Sequence, residues 1–408
     1  MNLLILTQYF PPETGAPQNR LYELAVRLKK LGVNITVLTA MPNYPQMKIH
    51  ETYEGKKYHY EEMDGIPVHR CSIYMPSNMG VLERLKNYFS FVWSSIRTGP
   101  RVIKDIDYVF CESPPLFLGI SALYLCRRFN AKLIFNVADL WPESAEKLGV
   151  VRNRFFLWIA YRLEAFLYRR SIMITGQAMG ICDDIRKRFP SKDVYWLPNG
   201  ADTHLYNPER IRNSGWREEH GFGNEDFVVL YAGILGVAQG LEIIIEAAEK
   251  LKGERKIQFV LQGNGPEENK LKELIKKYEL KNIRITSSVP KSRMPEILAS
   301  VDASVVPLKK LDIFIGIIPS KIFEALSMEV PILLGVDGES RSLFIDEANA
   351  GLFFEPEDHL QLAAAVETLF KNAEIRKNLG ANGREYVLKC FDRDLIAKNF
   401  YEKLMLLG

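Results

Sequence analysis

Short runs of consecutive apolar residues, rich in Val, Ile and Leu, alternate along this chain with longer stretches whose apolar positions recur at helical spacing. "LLILT", "NITVLTA", "DYVFC", "KLIFNV" and "IMIT" are the short runs of the first half, and "FVVLYA", "IQFVL", "NIRIT", "ASVVP" and "PILLG" repeat the scheme in the second. A strand that is apolar at nearly every position is covered on both faces, so helices must flank a parallel sheet on each side. The pattern predicts an α/β protein of two doubly wound, Rossmann-like domains. One stretch interrupts it. "KKYHYEEMDGIPVHRCSI" alternates about Asp64-Gly65 and reads as a β-hairpin.

A chain of 408 residues is too long for one ordinary core. The Pro, Gly, Asn and charged residues of "LPNGADTHLYNPERIRNSGWREEHGFGNED" suit a linker, which divides the chain into domains over 1–200 and 201–390. The helical pattern of 391–408 is expected to pack back on the first domain. Ligands of open α/β sheets lie at the carboxyl ends of the strands, so two such domains are expected to face each other across a cleft that holds the site. The turns carrying Gly15, Gly233, Gly263 and Gly265 all follow strands.

Composition narrows the class. Apolar residues at 47% and charged ones at 25% are ordinary for a globular chain, which excludes disorder and fibrous repeats. The net charge of +3 conceals an asymmetry: 26 Lys and Arg face 18 Asp and Glu in residues 1–200, a balance of +8, and the remainder carries −5. A basic half attracts phosphoesters, nucleic acid or an anionic membrane. No RNA-binding signature or zinc-finger spacing is present, so nucleic acid is not expected as a partner. Five scattered cysteines without a C-x-x-C pair point to a reducing compartment and away from zinc. The longest apolar stretch, about 13 residues, is too short to span a bilayer, and no signal peptide precedes the first strand, so a cytoplasmic protein is expected.

Candidate chemistry lies in four places. "YAGILGVAQGLEIIIEAAEKL" is a strand, a glycine-bearing turn and a helix, an arrangement that cradles phosphate on backbone N–H groups or simply makes a tight turn. In "IPSKIFEALSMEVPIL", Pro319 suits a first helical turn, Ser320 and Lys321 suit a diphosphate, and Glu324 one turn on suits a ribose diol; a surface Lys–Glu pair is the plainer use. Asp139 follows the strand "KLIFNV", either as a catalytic acid or as the cap of a helix beginning at Trp141. Asn199-Gly200 marks a turn. The pairs Asp105/Asp107 and Asp392/Asp394 read as caps, and the six histidines form no metal-binding pattern, so no metal and no cofactor is expected.

Taken in order, "PPETGAPQNRLYELA", "ADLWPES", "LPNGADTHLYNP", "YAGILGVAQGLEIIIEAA", "LQGNGP" and "PSKIFEALSMEVPIL" resemble the retaining glycosyltransferases of family 4, which have the two-domain GT-B fold. They are most similar to the branch that builds O-antigen, capsule and colanic-acid type polysaccharides, including amino-sugar transferases. The resemblance implies a donor-binding role for Gly15, Arg20, Asn199, Gly233, Gly263, Ser320, Lys321 and Glu324, with Asp139 near the reacting sugar as the catalytic candidate. It further implies a nucleotide-sugar donor, UDP-linked, a polyprenyl-diphosphate-linked saccharide acceptor, and peripheral attachment to the anionic inner face of the cell membrane. Four positions depart from the family pattern: Ile234 and Gln239 stand where an Arg and a Lys grip the diphosphate, Gly316 where the first of two Glu stands, and Ala138 where a His precedes the Asp. These losses keep two alternatives open, a sugar-nucleotide 2-epimerase of the same fold and a non-catalytic partner of a transferase complex.

Overall fold

The computed structural model describes residues 1–13, 15–44, 48–76, 80–147, 149, 151–211 and 215–407. Thr14 of the "PPETGA" opening and residues 212–214 of the linker stretch lie outside the described residues. The chain divides into two compact units, residues 1–198 with 394–408, and residues 199–393.

The first unit is built on an eight-stranded sheet of β1 (Asn2–Leu6), β2 (Asn34–Ala40), β3 (Tyr58–Met63), β4 (Ile66–Cys71), β5 (Tyr108–Ser113), β6 (Lys132–Val137), β7 (Met173–Gly176) and β8 (Asp193–Trp196), in the order β3-β4-β2-β1-β5-β6-β7-β8. Every pair is parallel except β3 with β4. The apolar runs produce two cores because side chains alternate in direction along a strand. Leu4 and Leu6 of β1 join one core with Leu38, Phe91, Leu125 and Phe135. Leu3 and Ile5 join the other, where Ile396, Ala397, Phe400 and Leu404 of the C-terminal helix Arg393–Met405 also pack. The hairpin turn has positive φ at both Asp64 (48°) and Gly65 (70°), the geometry that matches the twist of the flanking strands.

The second unit has a wholly parallel six-stranded sheet of β9 (Phe227–Ala232), β10 (Ile257–Gln262), β11 (Ile283–Thr286), β12 (Ala303–Pro307), β13 (Ile332–Gly335) and β14 (Gly351–Phe353), ordered β11-β10-β9-β12-β13-β14. Both sheets reverse their strand order once, between β1 and β5 in the first and between β9 and β12 in the second. Such a reversal leaves a crevice at the strands' carboxyl ends, and that is where ligands of doubly wound sheets bind. No helix among the described residues is long and apolar enough to cross a membrane.

Candidate functional site

In the second unit, the turn after β9 and the helix Ser320–Ser327, which joins β12 to β13, meet at the reversal point. Pro319 caps that helix in an extended conformation, and Ile322, Phe323, Ala325 and Leu326 anchor its buried face. Phe323 packs edge-on to Phe344, with ring centroids 5.5 Å apart. This anchoring leaves Lys321 and Glu324, three residues apart, on the half-buried face.

Lys321 is the centre of the arrangement. Its Nζ lies 3.7 Å from the centroid of the Tyr231 ring, and a methyl group on Gly233 would come within 2.9 Å of the same Nζ. Burial lowers the amine's pKa from the usual lysine range to about 7, a fall that the Glu324 carboxylate opposes without cancelling. Tyr231 is itself pinned, its hydroxyl donating to the Ile234 carbonyl at 2.7 Å. The turns after β9 and β10 lie backbone to backbone: Gly233 N–H donates to Gln262 O at 2.9 Å and Leu235 N–H to Asn264 O at 3.0 Å. Gly263, at φ 148°, has the Gly233 carbonyl where a side chain would begin, so only glycine fits there. Thus Gly233, Lys321 and Glu324 form one cluster with Gly263 behind it, and Ser320 opens the helix beside Lys321. The side-chain oxygen of Asn199 accepts the Gly200 N–H at 3.2 Å.

The other expected site residues belong to the first unit. Gly15 has an extended backbone, φ 176°, that any residue adopts, and the space beside it is filled by the buried Gln18 side chain. Arg20 lies one turn inside the helix Ala16–Lys30, and it is buried. Its Nη2 donates to Glu112 Oε1 at 2.6 Å, and Gln177 accepts from Nε and Nη2 at 2.9 and 2.8 Å once its amide is oriented to do so. Asn136 donates to the other Glu112 oxygen at 2.5 Å, and Thr175 donates to Asn136 at 2.6 Å. Burial raises the Glu112 pKa while Arg20 and Asn136 pull it down. The guanidinium is therefore a fixed part of a buried network at the ends of β5, β6 and β7, with Nη1 alone lacking an acceptor.

Asp139 is exposed just beyond β6, where its carboxylate accepts from the Ser144 hydroxyl at 2.7 Å. Partial loss of hydration raises its pKa, and the hydrogen bonds from Ser144 and the Leu140 N–H oppose the rise. The helix it precedes begins at Glu143 rather than Trp141 and has five residues.

Glu13 is a further residue of the first unit whose role the sequence does not show. It is buried, and its carboxylate accepts backbone N–H groups of Asn43 (2.6 Å), Tyr44 (2.8 Å) and Phe10 (3.0 Å), tying the loop after β1 to the loop after β2. Arg70, also buried, holds the same region by donating to the Pro11 and Ala40 carbonyls and to Glu61. A carboxylate three residues before a predicted helix is the signal in the sequence, but the Asn43 and Tyr44 partners lie in another loop. The pairs Asp105/Asp107 and Asp392/Asp394 have partners far off in sequence: Asp107 accepts the Asn2 N–H at 2.7 Å, and Asp394 pairs with Arg27 at 2.5 Å. Among the described residues no three His, Cys, Asp or Glu side chains are grouped to hold a metal ion.

Two family descriptions match the chain, "Glycosyl transferase 4-like domain" over residues 15–200 and "Glycosyl transferases group 1" over 213–386. The chain is 24% identical over 411 residues to WcaI of Escherichia coli K12, named as a colanic acid biosynthesis glycosyl transferase, with 98% of each chain covered. It is also 24% identical to the O-antigen chain mannosyltransferase C of Escherichia coli, covering 96% of this chain and 94% of that one. Among solved structures, a sucrose-phosphate synthase from Thermosynechococcus elongatus superposes with a TM-score of 0.77 at 15% identity over all of both chains. HepE from Anabaena in complex with UDP and glucose gives 0.72 at 18% identity, covering 99% of each.

Proposed function

Because the chain is a glycosyltransferase of GT-B architecture, related to the group 1 and 4-like families, we propose that it moves a sugar from a UDP-linked donor to a lipid-linked saccharide in the synthesis of a cell-surface polysaccharide. The sugar we favour is an N-acetylated amino sugar, and the transfer retains its anomeric configuration. The relatives that bear on this reading are named for colanic acid and O-antigen synthesis, and HepE was solved with UDP and glucose.

The observation that carries the reading is Lys321, an amine held over Tyr231 against the Gly233 turn with Glu324 beside it. Charge grows on the diphosphate as its bond to the anomeric carbon breaks, and an ammonium group fixed at that point stabilises it without reorganisation. Backbone N–H groups at the start of the Ser320–Ser327 helix add partial positive charge. Lys321 thereby stands in for the cations absent at Ile234 and Gln239. Glu324 accepts hydrogen bonds from the ribose hydroxyls. The acceptor hydroxyl attacks the face from which the diphosphate departs, and its proton passes to the departing phosphate oxygen. The glycosidic bond forms as the sugar–phosphate bond breaks, and the atoms balance without a base from the protein. Asp139 orients the reacting sugar.

Titration calorimetry with UDP tests the assignment. Lys321→Ala and Glu324→Ala should each weaken binding by about 1–3 kcal/mol, roughly 5- to 150-fold. Folded variants that bind UDP like the wild type would overturn it.

A further inference from the structure

The loop after β1 brings Gln8 and Tyr9 against the helix Val81–Val102 of the same unit. Gln8 Nε2 donates to Asn87 Oδ1 at 3.0 Å and to the Tyr9 hydroxyl at 3.1 Å. Tyr44, from the loop after β2, stands edge-on to Tyr9 with ring centroids 5.8 Å apart, and it is part-exposed. Arg84, one turn before Asn87 on the helix, and Tyr88, next to it, both lie close enough to Tyr9 to act on it electrostatically, and Arg84 acts on Tyr88 as well. Three phenol rings and one guanidinium thus converge from two loops and a helix.

Their polar balance is incomplete in a particular way. Gln8 is 1% exposed and its Oε1 is buried with no donor, while the Arg84 Nε is buried with no acceptor. No carboxylate among the described residues pairs with Arg84. The acid nearest in the cluster, Glu13, spends both oxygens on the backbone N–H groups of Phe10, Asn43 and Tyr44. A buried acceptor and a buried cationic donor left without protein partners are costly unless water or a ligand supplies them. The missing partners are a hydroxyl to donate to Gln8 and an anion to accept from Arg84. Tyrosine rings beside them supply faces for the C–H side of a sugar.

We propose that Arg84, Gln8, Tyr9, Tyr44 and Tyr88 form the acceptor-sugar subsite, and that it selects a saccharide bearing a negative charge on the ring it holds. The subsite names the acceptor chemistry of the transferase reading and rests on it. A ring carboxylate and a phosphate ester both satisfy the guanidinium, and a pair of probes separates them.

The test is calorimetry on the full chain with methyl α-glucuronoside, glucose 1-phosphate and neutral methyl α-glucoside, each in saturating UDP. At least one anionic probe should bind ten-fold or more tightly than the neutral one, and that advantage should disappear in Arg84→Gln. The preferred probe identifies the anion as carboxylate or phosphate. Arg84→Lys, which keeps the charge, should retain part of the preference, and Tyr44→Ala, at a part-exposed position, should weaken all three probes by several-fold. Equal binding of charged and neutral probes, or an unchanged preference in folded Arg84→Gln, would overturn the proposal. UDP binding is read separately in the same samples. Loss of UDP binding by the wild type alongside a retained anionic preference would refute the donor assignment and leave the subsite standing.

Discussion

Lys321 carries an amine that the fold makes costly to charge, and a diphosphate would make charging favourable again. With its pKa lowered to about 7 by burial, the free protein holds it largely neutral at pH 8, whereas a diphosphate bound as proposed would favour the ammonium form. UDP binding should therefore take up a proton, and affinity should fall as pH rises above 7 until the raised pKa of the complex is passed. Calorimetry in phosphate and in Tris at pH 8 should give different binding enthalpies, and Lys321→Met should give the same enthalpy in both. Equal enthalpies for the wild type would remove Lys321 from the site. Asp139 calls for a different measurement, because its bond to Ser144 makes it equally readable as a local cap. Asp139→Asn should lower turnover about 10- to 100-fold, the scale of a misplaced reacting group, with the melting temperature nearly unchanged; parallel losses of both would mark a cap. Lys321 and Gly233 stand out in the sequence as candidates because each sits at a punctuated turn in its own segment. The Arg20–Glu112 pair was not, since the partners are 92 residues apart and meet only when β1 and β5 lie side by side.

At the scale of elements, the strands could be read from hydrophobic pattern alone because both faces of each sheet are covered, and a run that is apolar throughout has few other uses. Short helices and loops were less legible. The helix expected from Trp141 starts at Glu143; the Trp141 N–H donates to the Asp139 carbonyl in a tighter turn, and Pro142 has no N–H to give. The loop after β1 is expected to carry donor-binding residues, and its order comes from Glu13 and Arg70, most of whose partners are main-chain groups that no pattern of side chains reveals. The paired turns after β9 and β10 make the strongest prediction of this kind. Gly263→Ala puts a methyl group onto the Gly233 carbonyl at a φ that L-residues avoid, so it should destabilise the protein by roughly 1–3 kcal/mol and shift the turn that faces Lys321. Chemical denaturation and UDP affinity should both decline; an unchanged midpoint would show that the two turns are not packed in this way.

For the whole molecule, the +8 balance of residues 1–200 acquires a location. On the helix Arg154–Arg170, Phe155 and Trp158 are stacked at 70% and 55% exposure, with Arg162 lying over Trp158 and Arg170 over the exposed Phe166. On Val81–Val102, Leu82 and Trp93 are 74% and 62% exposed, with Arg97 over Trp93. Core packing accounts for Leu157, Ala160 and Leu167, but the exposed rings among arginines suit an anionic lipid surface, where each nearby cation contributes about 1 kcal/mol. Flotation with phosphatidylglycerol vesicles should show binding that falls with salt and with Arg162→Glu or Arg170→Glu; absence of binding at low salt would favour a soluble acceptor. Sugar transfer from a UDP donor with retention can be followed by proton NMR of UDP-α-N-acetylhexosamines incubated with the protein and a lipid extract containing polyprenyl-linked saccharides. Release of UDP together with a new glycoside of α configuration is expected. A β-linked product, an epimerised sugar nucleotide without UDP release, or no change in the donor would contradict it.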